Sequence, residues 1–176
     1  RYLGQLEYSR ENYDSAISLL EQTLTLHQAL NVPDRISATL NDLGIVHSMR
    51  VDLDAADEYF ARAIEQLQEV EDPLFESTAI MNRGLVALNR RDVDRAARYF
   101  QKARSMKSAE ETGWALPDLQ NNLAFVRLWA GEFDKGKELF RKTLEHADEE
   151  GSAEELAVAR SYLGLLYCFT GQLQAA

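Results

Sequence analysis

The stretch Leu40-Asn41-Asp42-Leu43-Gly44, followed by Ala56, Phe60 and Ala63, decides the fold of this 176-residue chain. Its glycine belongs to a series of small residues in register with a 40-residue interval: Gly4, Gly44, Gly84, Ala124 and Gly164. A second small series and a bulky series keep the same interval: Ala16, Ala56, Ala96, Gly136 and Ala176, and Leu20, Phe60, Phe100 and Phe140. Several series that share one interval without an insertion indicate an internal repeat.

Each repeat contains two breaks and therefore predicts two helices. The first break precedes an acidic residue that suits the first turn of a helix, where the helix dipole favours negative charge. These residues are Asp14, Asp54, Asp94 and Asp134. The second break recurs at Pro33, Pro73, Gly113 and Ala153. Asp72-Pro73 predicts an N-cap with proline at the first helical position, so the second break also starts a helix.

The small residues predict how the two helices of a repeat pack. Antiparallel helices approach closely only where the side chain that faces the partner backbone is small. We expect Gly44 on the first helix to meet Ala56 on the second, with Phe60 filling the wider space beside them. One helix pair cannot bury this apolar surface alone, but a stack of pairs can. The sequence therefore predicts an all-α repeat protein.

This pattern resembles the tetratricopeptide repeat family. Leu43, Gly44, Ala56, Phe60 and Ala63 match its spacing of Leu-Gly, twelve residues to Ala, four to Phe and three to Ala. The chain departs from the family in its 40-residue period, where 34 is usual. It also has an arginine at position 83 where leucine is expected, and a glycine at position 136 where alanine is expected. The longer repeats look like those of kinesin light chains and of the sensor arms of MalT-type regulators.

The resemblance implies a right-handed α-solenoid of stacked antiparallel helix pairs, with about four and a half repeats. These repeats would span residues 1–32, 33–72, 73–112, 113–152 and 153–176, the last of them truncated as in a fragment of a longer protein. The last helix presents Leu163, Leu166, Tyr167 and Phe169 without a complete second helix to cover them. We therefore expect a homodimer through this uncapped C-terminal helix.

In tetratricopeptide arrays the first helix of each pair lines the concave groove. Carried over by this resemblance, the candidate peptide-binding residues are Asn41, Asn82, Asn121, Asn122, Leu85, Phe125, Trp129 and Tyr162. A carboxamide offers both a donor and an acceptor, so it can pair with a peptide unit whatever its side chain. The amides could equally face water or cap local backbone. For the apolar positions, tight stacking of adjacent first helices competes with exposure in the groove.

The distribution of charge is uneven. The chain has 19 basic and 29 acidic residues and a net charge of −10 at pH 7, so we expect neither a nucleic-acid nor a membrane partner. Residues 77–108 are the exception, with eight basic and two acidic residues. Four of the basic residues have helical spacing and form the basic patch: Arg91, Arg95, Arg98 and Lys102. The pattern favours a solvated outer face, partly paired with Glu58 and Glu138, over a docking surface for an acidic partner.

Catalytic chemistry finds little support in the sequence. His27, His47 and His146 lack metal-ligand spacing, and the single cysteine, Cys168, has no CxxC partner. We therefore expect no enzyme activity, no metal and no cofactor, and a reducing, cytoplasmic compartment. The sequence predicts a non-catalytic scaffold that binds a protein or peptide in its concave groove. The alternative is an effector-sensing or self-assembly segment of a bacterial transcriptional or signalling regulator.

Overall fold

The computed structural model describes residues 12–69, 71–106, 116–149 and 151–170, and within these residues every regular element is an α-helix. The helices are α1 (Tyr13–Ala29), α2 (Pro33–Met49), α3 (Leu53–Glu69), α4 (Pro73–Asn89), α5 (Val93–Met106), α6 (Leu116–Trp129), α7 (Phe133–Glu149) and α8 (Ala153–Thr170). They fall into two compact units, an N-terminal unit of residues 1–107 and a C-terminal unit of residues 108–176. The all-α prediction is confirmed for the residues described. The predicted break at Gly113 lies outside them.

Short turns of one geometry connect consecutive helices within each unit. In the turn after α2, the N–H of Asp52 donates to the carbonyl of His47 at 2.9 Å, and that of Val51 to the carbonyl of Ser48 at 3.0 Å. This Schellman arrangement requires one residue with positive φ. The residues in this position are Asn31, Val51, Glu71, Arg91, Gly131 and Gly151. The repeated turn gives the helix pairs their regular antiparallel register.

After three of these turns, an aspartate side chain caps the next helix. Asp72 Oδ1 accepts from the N–H of Phe75 at 3.1 Å, with Pro73 as the first helical residue, which confirms the predicted N-cap. Asp92 accepts from the N–H of Arg95 at 3.0 Å in the same way. Such caps satisfy backbone donors that the helix leaves unpaired.

The first-turn aspartates of the N-terminal unit have a second role that the sequence did not indicate. Arg50 Nη1 donates to Asp14 Oδ1 at 2.9 Å, and Arg90 Nη2 donates to Asp54 Oδ1 at 2.5 Å. Both pairs link residues 36 positions apart, so the same contact joins successive repeats. Asp14 and Asp54 are almost fully exposed, so each pair contributes little to stability.

Glycines in the first helices make room for an aromatic ring. A Cβ added to Gly44 would lie 2.6 Å from the Cε1 atom of Phe60, and one added to Gly84 would overlap the ring of Phe100. Both phenylalanines are almost completely buried. We expected Gly44 to meet Ala56, but the three atoms nearest to the missing Cβ belong to Phe60. The close approach is therefore between a helix backbone and a ring.

The core of the C-terminal unit buries three of the apolar side chains that the sequence placed on the open face of α8. Leu163, Leu166 and Tyr167 are 7%, 1% and 7% exposed and cluster with Ala124 and Phe140. Our expectation that these three side chains are left uncovered is wrong, because α6 and α7 already bury them. The side chain of Phe169, the fourth residue of that expectation, lies outside the described part of the structure.

Candidate functional site

The two candidate asparagines of the N-terminal unit contact each other. Asn82 Nδ2, on α4, donates to Asn41 Oδ1, on α2, at 3.0 Å, and both side chains are half-buried. We had expected amides that do not bind a peptide to face water or to cap local backbone. Instead, these two amides bond to each other. This bond uses only part of each carboxamide, so donors and acceptors remain for a peptide unit. Leu85, one turn from Asn82, is also half-buried.

The same positions differ in the C-terminal unit. Asn121 and Tyr162 are separated by 41 residues, as Asn41 and Asn82 are, so a tyrosine stands where the donor amide was. Asn121 is 4% exposed, and its Oδ1 atom has no hydrogen-bond partner within the described residues. The ring of Tyr162 instead packs edge-on against Phe125, with 4.9 Å between the ring centroids. An aromatic contact has replaced a hydrogen bond.

A small apolar pocket adjoins this aromatic contact. Its volume is about 340 Å³, and it is lined by Phe125, Leu128, Trp129, Phe133 and Leu166. The sequence indicated Phe125 and Trp129 but missed Phe133 on the second helix and Leu166 on α8. Trp129 is 52% exposed and Phe133 is 46% exposed. Asn122, the remaining candidate, is half-buried on the same helix as Trp129. The helix α6 therefore contributes three of the five lining residues and also carries a half-buried amide.

The residues of the basic patch differ in how exposed they are. Arg95 Nη2 lies 3.4 Å from Asp57 Oδ2 and donates to the hydroxyl of Tyr99 at 3.3 Å. The other three residues, Arg91, Arg98 and Lys102, are exposed. The arginine on the first turn of α5 is thus paired with Asp57 and not with the neighbouring Glu58.

Arg83, which replaces the leucine expected in the family pattern, completes this network. Its Nε and Nη2 atoms donate to the two carboxylate oxygens of Asp57 at 2.7 and 3.1 Å, and its guanidinium lies 5.0 Å from the ring centroid of Tyr99. Burial opposes ionisation of Asp57, but the bonds from Arg83 and the charge of Arg95 outweigh it. They hold the pKa of the Asp57 carboxyl below its ordinary value. This departure from the family pattern is therefore a structural ion pair.

No group of three or more histidine, cysteine, aspartate or glutamate residues in the described part of the chain could hold a metal ion. Among the helices described, none combines the length and apolarity needed to cross a bilayer.

Repeated helix pairs with half-buried amides and aromatic side chains on their first helices define an α-helical repeat protein. The sequence profile of the tetratricopeptide repeat family matches residues 1–69 and 116–176. The chain belongs to the tetratricopeptide repeat family. The resemblance stated from the sequence is thereby confirmed. No curated protein matches the chain.

Solved structures support the same fold. BtubC from P. vanneervenii is 19% identical with a TM-score of 0.83, over 98% of this chain and 72% of that protein. A kinesin light chain homologue with nearly identical repeats from Podosopora anserina is 14% identical with a TM-score of 0.78, over 99% and 86%. The Rap conjugation gene regulator of plasmid pLS20, solved with the Phr* peptide, is 17% identical with a TM-score of 0.79, over 93% and 45%. The fold class, an all-α helical-repeat solenoid, is shown.

Proposed function

We propose that this chain is a non-catalytic module that holds an extended peptide segment of a partner protein on the faces of its first helices. The observation that carries the proposal is the half-buried amide pair of Asn41 and Asn82, which bridges α2 and α4 and retains hydrogen-bonding capacity. In the C-terminal unit, Asn122 offers an amide on α6. The Rap regulator, which has a similar fold, was solved with a peptide, and this supports the proposal.

The chemistry of the carboxamides fits an extended backbone. An extended peptide leaves its N–H and C=O groups without partners of their own, and a carboxamide can pair with one of each. Two first helices side by side repeat this group along one face. Recognition would then depend on backbone hydrogen bonds, with side-chain selectivity supplied by neighbouring apolar residues.

The proposal can be tested by selection from a display library of random 12-residue peptides, followed by calorimetry with the synthetic winner. We expect the double variant Asn82→Ala and Asn122→Ala to weaken binding at least about 2- to 13-fold, because each unit loses an amide whose hydrogen bond is worth roughly 0.5–1.5 kcal/mol. Gln101→Ala removes an exposed carboxamide from α5 and serves as the matched control. Equal affinities for the double variant and the control would contradict the proposal.

A second surface is favoured by one observation: Arg98 and Lys102 are exposed on α5. We propose that these two residues add an electrostatic contribution for partners with an acidic segment. The double variant Arg98→Glu and Lys102→Glu should then weaken such a partner and reduce the salt dependence of its binding. Arg95 is a poor choice for this test because it pairs with Asp57. Salt-independent binding in the unmodified chain would leave this surface without a role.

A regulatory role is the second candidate function. The chain also resembles the STAND protein with a tetratricopeptide repeat sensor from Pyrococcus horikoshii, at 14% identity and a TM-score of 0.77 over 96% of this chain and 26% of that one. This likeness favours an effector-sensing or assembly segment of a signalling regulator, in the cytoplasm as the single cysteine indicates. Self-association through α8 remains a prediction. Its contact surface would not include Leu163, Leu166 and Tyr167, because these side chains are buried. Light scattering over a range of concentrations tests it.

A further inference from the structure

The apolar pocket of the C-terminal unit has a position-by-position counterpart in the N-terminal unit. Its five lining residues are Phe125, Leu128, Trp129, Phe133 and Leu166. The residues 80 positions earlier are Ile45, Ser48, Met49, Leu53 and Val86. Every position carries a larger side chain in the C-terminal unit, and three of the five become aromatic. At this place, the C-terminal unit therefore has a larger apolar surface than the N-terminal unit.

The two sets of residues have different uses. In the N-terminal unit, Ile45 and Leu53 pack against the buried cluster of Ala56, Phe60 and Val86. In the C-terminal unit, Trp129 and Phe133 remain about half exposed around a cavity of about 340 Å³. This volume is at the small end of the range for ligand pockets, which suits a single side chain. Large exposed aromatic groups around a cavity are typical of a binding site.

The charges near the pocket favour an uncharged occupant. None of the five lining residues is ionisable. The adjacent carboxylate of Glu132 accepts from Arg127 at 2.8 Å and from Lys135 at 2.9 Å, so it is already compensated. A charged side chain entering the pocket would lose its hydration without gaining a partner. An apolar side chain with uncharged neighbours is the complementary ligand.

The position of Asn122 indicates that the occupant is part of an extended peptide. Asn122, Phe125 and Trp129 have helical spacings of three and four residues and share one face of α6. Seven residues of α-helix span about 10 Å, which is the length of about three residues of extended chain. A peptide unit at Asn122 and a side chain at Trp129 can thus belong to one strand.

We propose that this pocket binds a leucine- or phenylalanine-sized side chain of an extended, locally uncharged peptide, about three residues from the peptide unit that Asn122 holds. The proposal rests on the proposed function and specifies its ligand. Trp129, Leu128 and Phe133 determine specificity in it, and the corresponding residues of the N-terminal unit are smaller.

The test uses the synthetic 12-residue peptide selected by display on the full chain. In the key variant, Leu128→Ser, Trp129→Met and Phe133→Leu, each residue becomes the one found 80 positions earlier. We expect this variant to bind the peptide at least tenfold more weakly, because it no longer buries the anchor side chain. A peptide with alanine, lysine or glutamate at the anchor should lose at least as much with the unmodified chain. The indole N–H resonance of Trp129, assigned by its loss in Trp129→Met, should shift on binding.

Controls separate the possible outcomes. Leu26→Ser removes a leucine that is 64% exposed on α1 and should leave binding unchanged. If the triple variant melts early by circular dichroism, Trp129→Ser provides the test, because its exposed ring contributes less to the core. Unchanged affinity in both pocket variants, or selection of a charged anchor, would overturn the pocket while the peptide-binding function stands. Failure to select any peptide would overturn both.

Discussion

The glycine that allows close packing lies on the first helix of a pair in the N-terminal unit and on the second helix in the C-terminal unit. Gly44 and Gly84 are on first helices, opposite Ala56 and Ala96. In the C-terminal unit the alanine, Ala124, is on the first helix. The glycine is Gly136, where an added Cβ would lie 2.7 Å from Leu128 Cδ2 and 3.2 Å from the Ala124 carbonyl oxygen. The comparison teaches that each glycine makes room for one particular neighbouring side chain: a phenylalanine ring in the N-terminal unit and Leu128 in the C-terminal unit.

The two units also differ in the contacts between neighbouring helices. The N-terminal unit has the Asn41–Asn82 bond and the Arg83–Asp57 pair, whereas the C-terminal unit has Tyr162 and Leu163 at the positions of Asn82 and Arg83. At these two positions the first unit has directional polar contacts, whereas the second has apolar and aromatic packing. This difference is the basis for assigning side-chain recognition to the C-terminal unit.

The largest expected effect comes from the glycine positions. Gly84→Ala should lower the free energy of unfolding by about 1–2 kcal/mol, because the ring of the buried Phe100 must move by more than the helix gains from alanine. Gly164→Ala should raise it by about 0.5–1 kcal/mol, because the added Cβ meets no described atom within 4 Å. Urea denaturation measures both.

The double variant Gly84→Ala and Ala96→Gly copies the arrangement of the C-terminal unit. It should not recover the stability lost in Gly84→Ala, because the obstacle is Phe100 and not Ala96. Full recovery would show that the two helix backbones, and not the ring, set the spacing.

The Asp57 network should give the next largest effect. Asp57→Asn should lower the free energy of unfolding by about 1–2 kcal/mol near pH 7, between the values for exposed and buried ion pairs. The lowered pKa of Asp57 means that its contribution is present above the ordinary value of 3.8 and is lost as pH falls through the folded-state value. The difference between the unmodified chain and the variant should therefore shrink on acidification, as followed by urea denaturation at several pH values. Asp54→Asn, which alters an almost fully exposed carboxylate, is the matched control and should change little.

The contrast between the two amide positions can be measured by double-mutant cycles. Alanine at positions 41 and 82, singly and together, should reveal a coupling of about 0.5–1.5 kcal/mol for the Asn41–Asn82 bond. A cycle with Asn121→Ala and Tyr162→Phe should reveal no hydrogen-bond coupling, because Asn121 Oδ1 has no partner within the described residues. Similar couplings in both units would contradict the distinction.

The turns provide the smallest expected effect. Val51 is a β-branched residue with φ of +65° and is 75% exposed, whereas Gly131 occupies the same position in the C-terminal unit. Val51→Gly should raise the melting temperature by a few degrees, corresponding to about 0.5–1 kcal/mol, because glycine adopts positive φ without strain. Gly131→Val should lower it. A fall in both variants would show that the valine side chain has another use.

The sequence predicted the repeat, helices whose first turns contain Asp14 and Asp54, a helix start at Pro73 and the cap at Asp72, because each depends on local spacing and backbone chemistry. It could not predict the bond between Asn41 and Asn82, because a 40-residue period fixes which side chains share a helix face but not how neighbouring repeats are offset. The pocket was missed for the same reason: Phe133 and Leu166 come from two further helices.

The central claim is that the first helices hold the peptide. Hydrogen–deuterium exchange of the full chain with and without the selected 12-residue peptide tests it most directly. The account predicts added protection in α6 and α8, or in α2 and α4, with little change in α3 and α5. Protection confined to the second helices would contradict it.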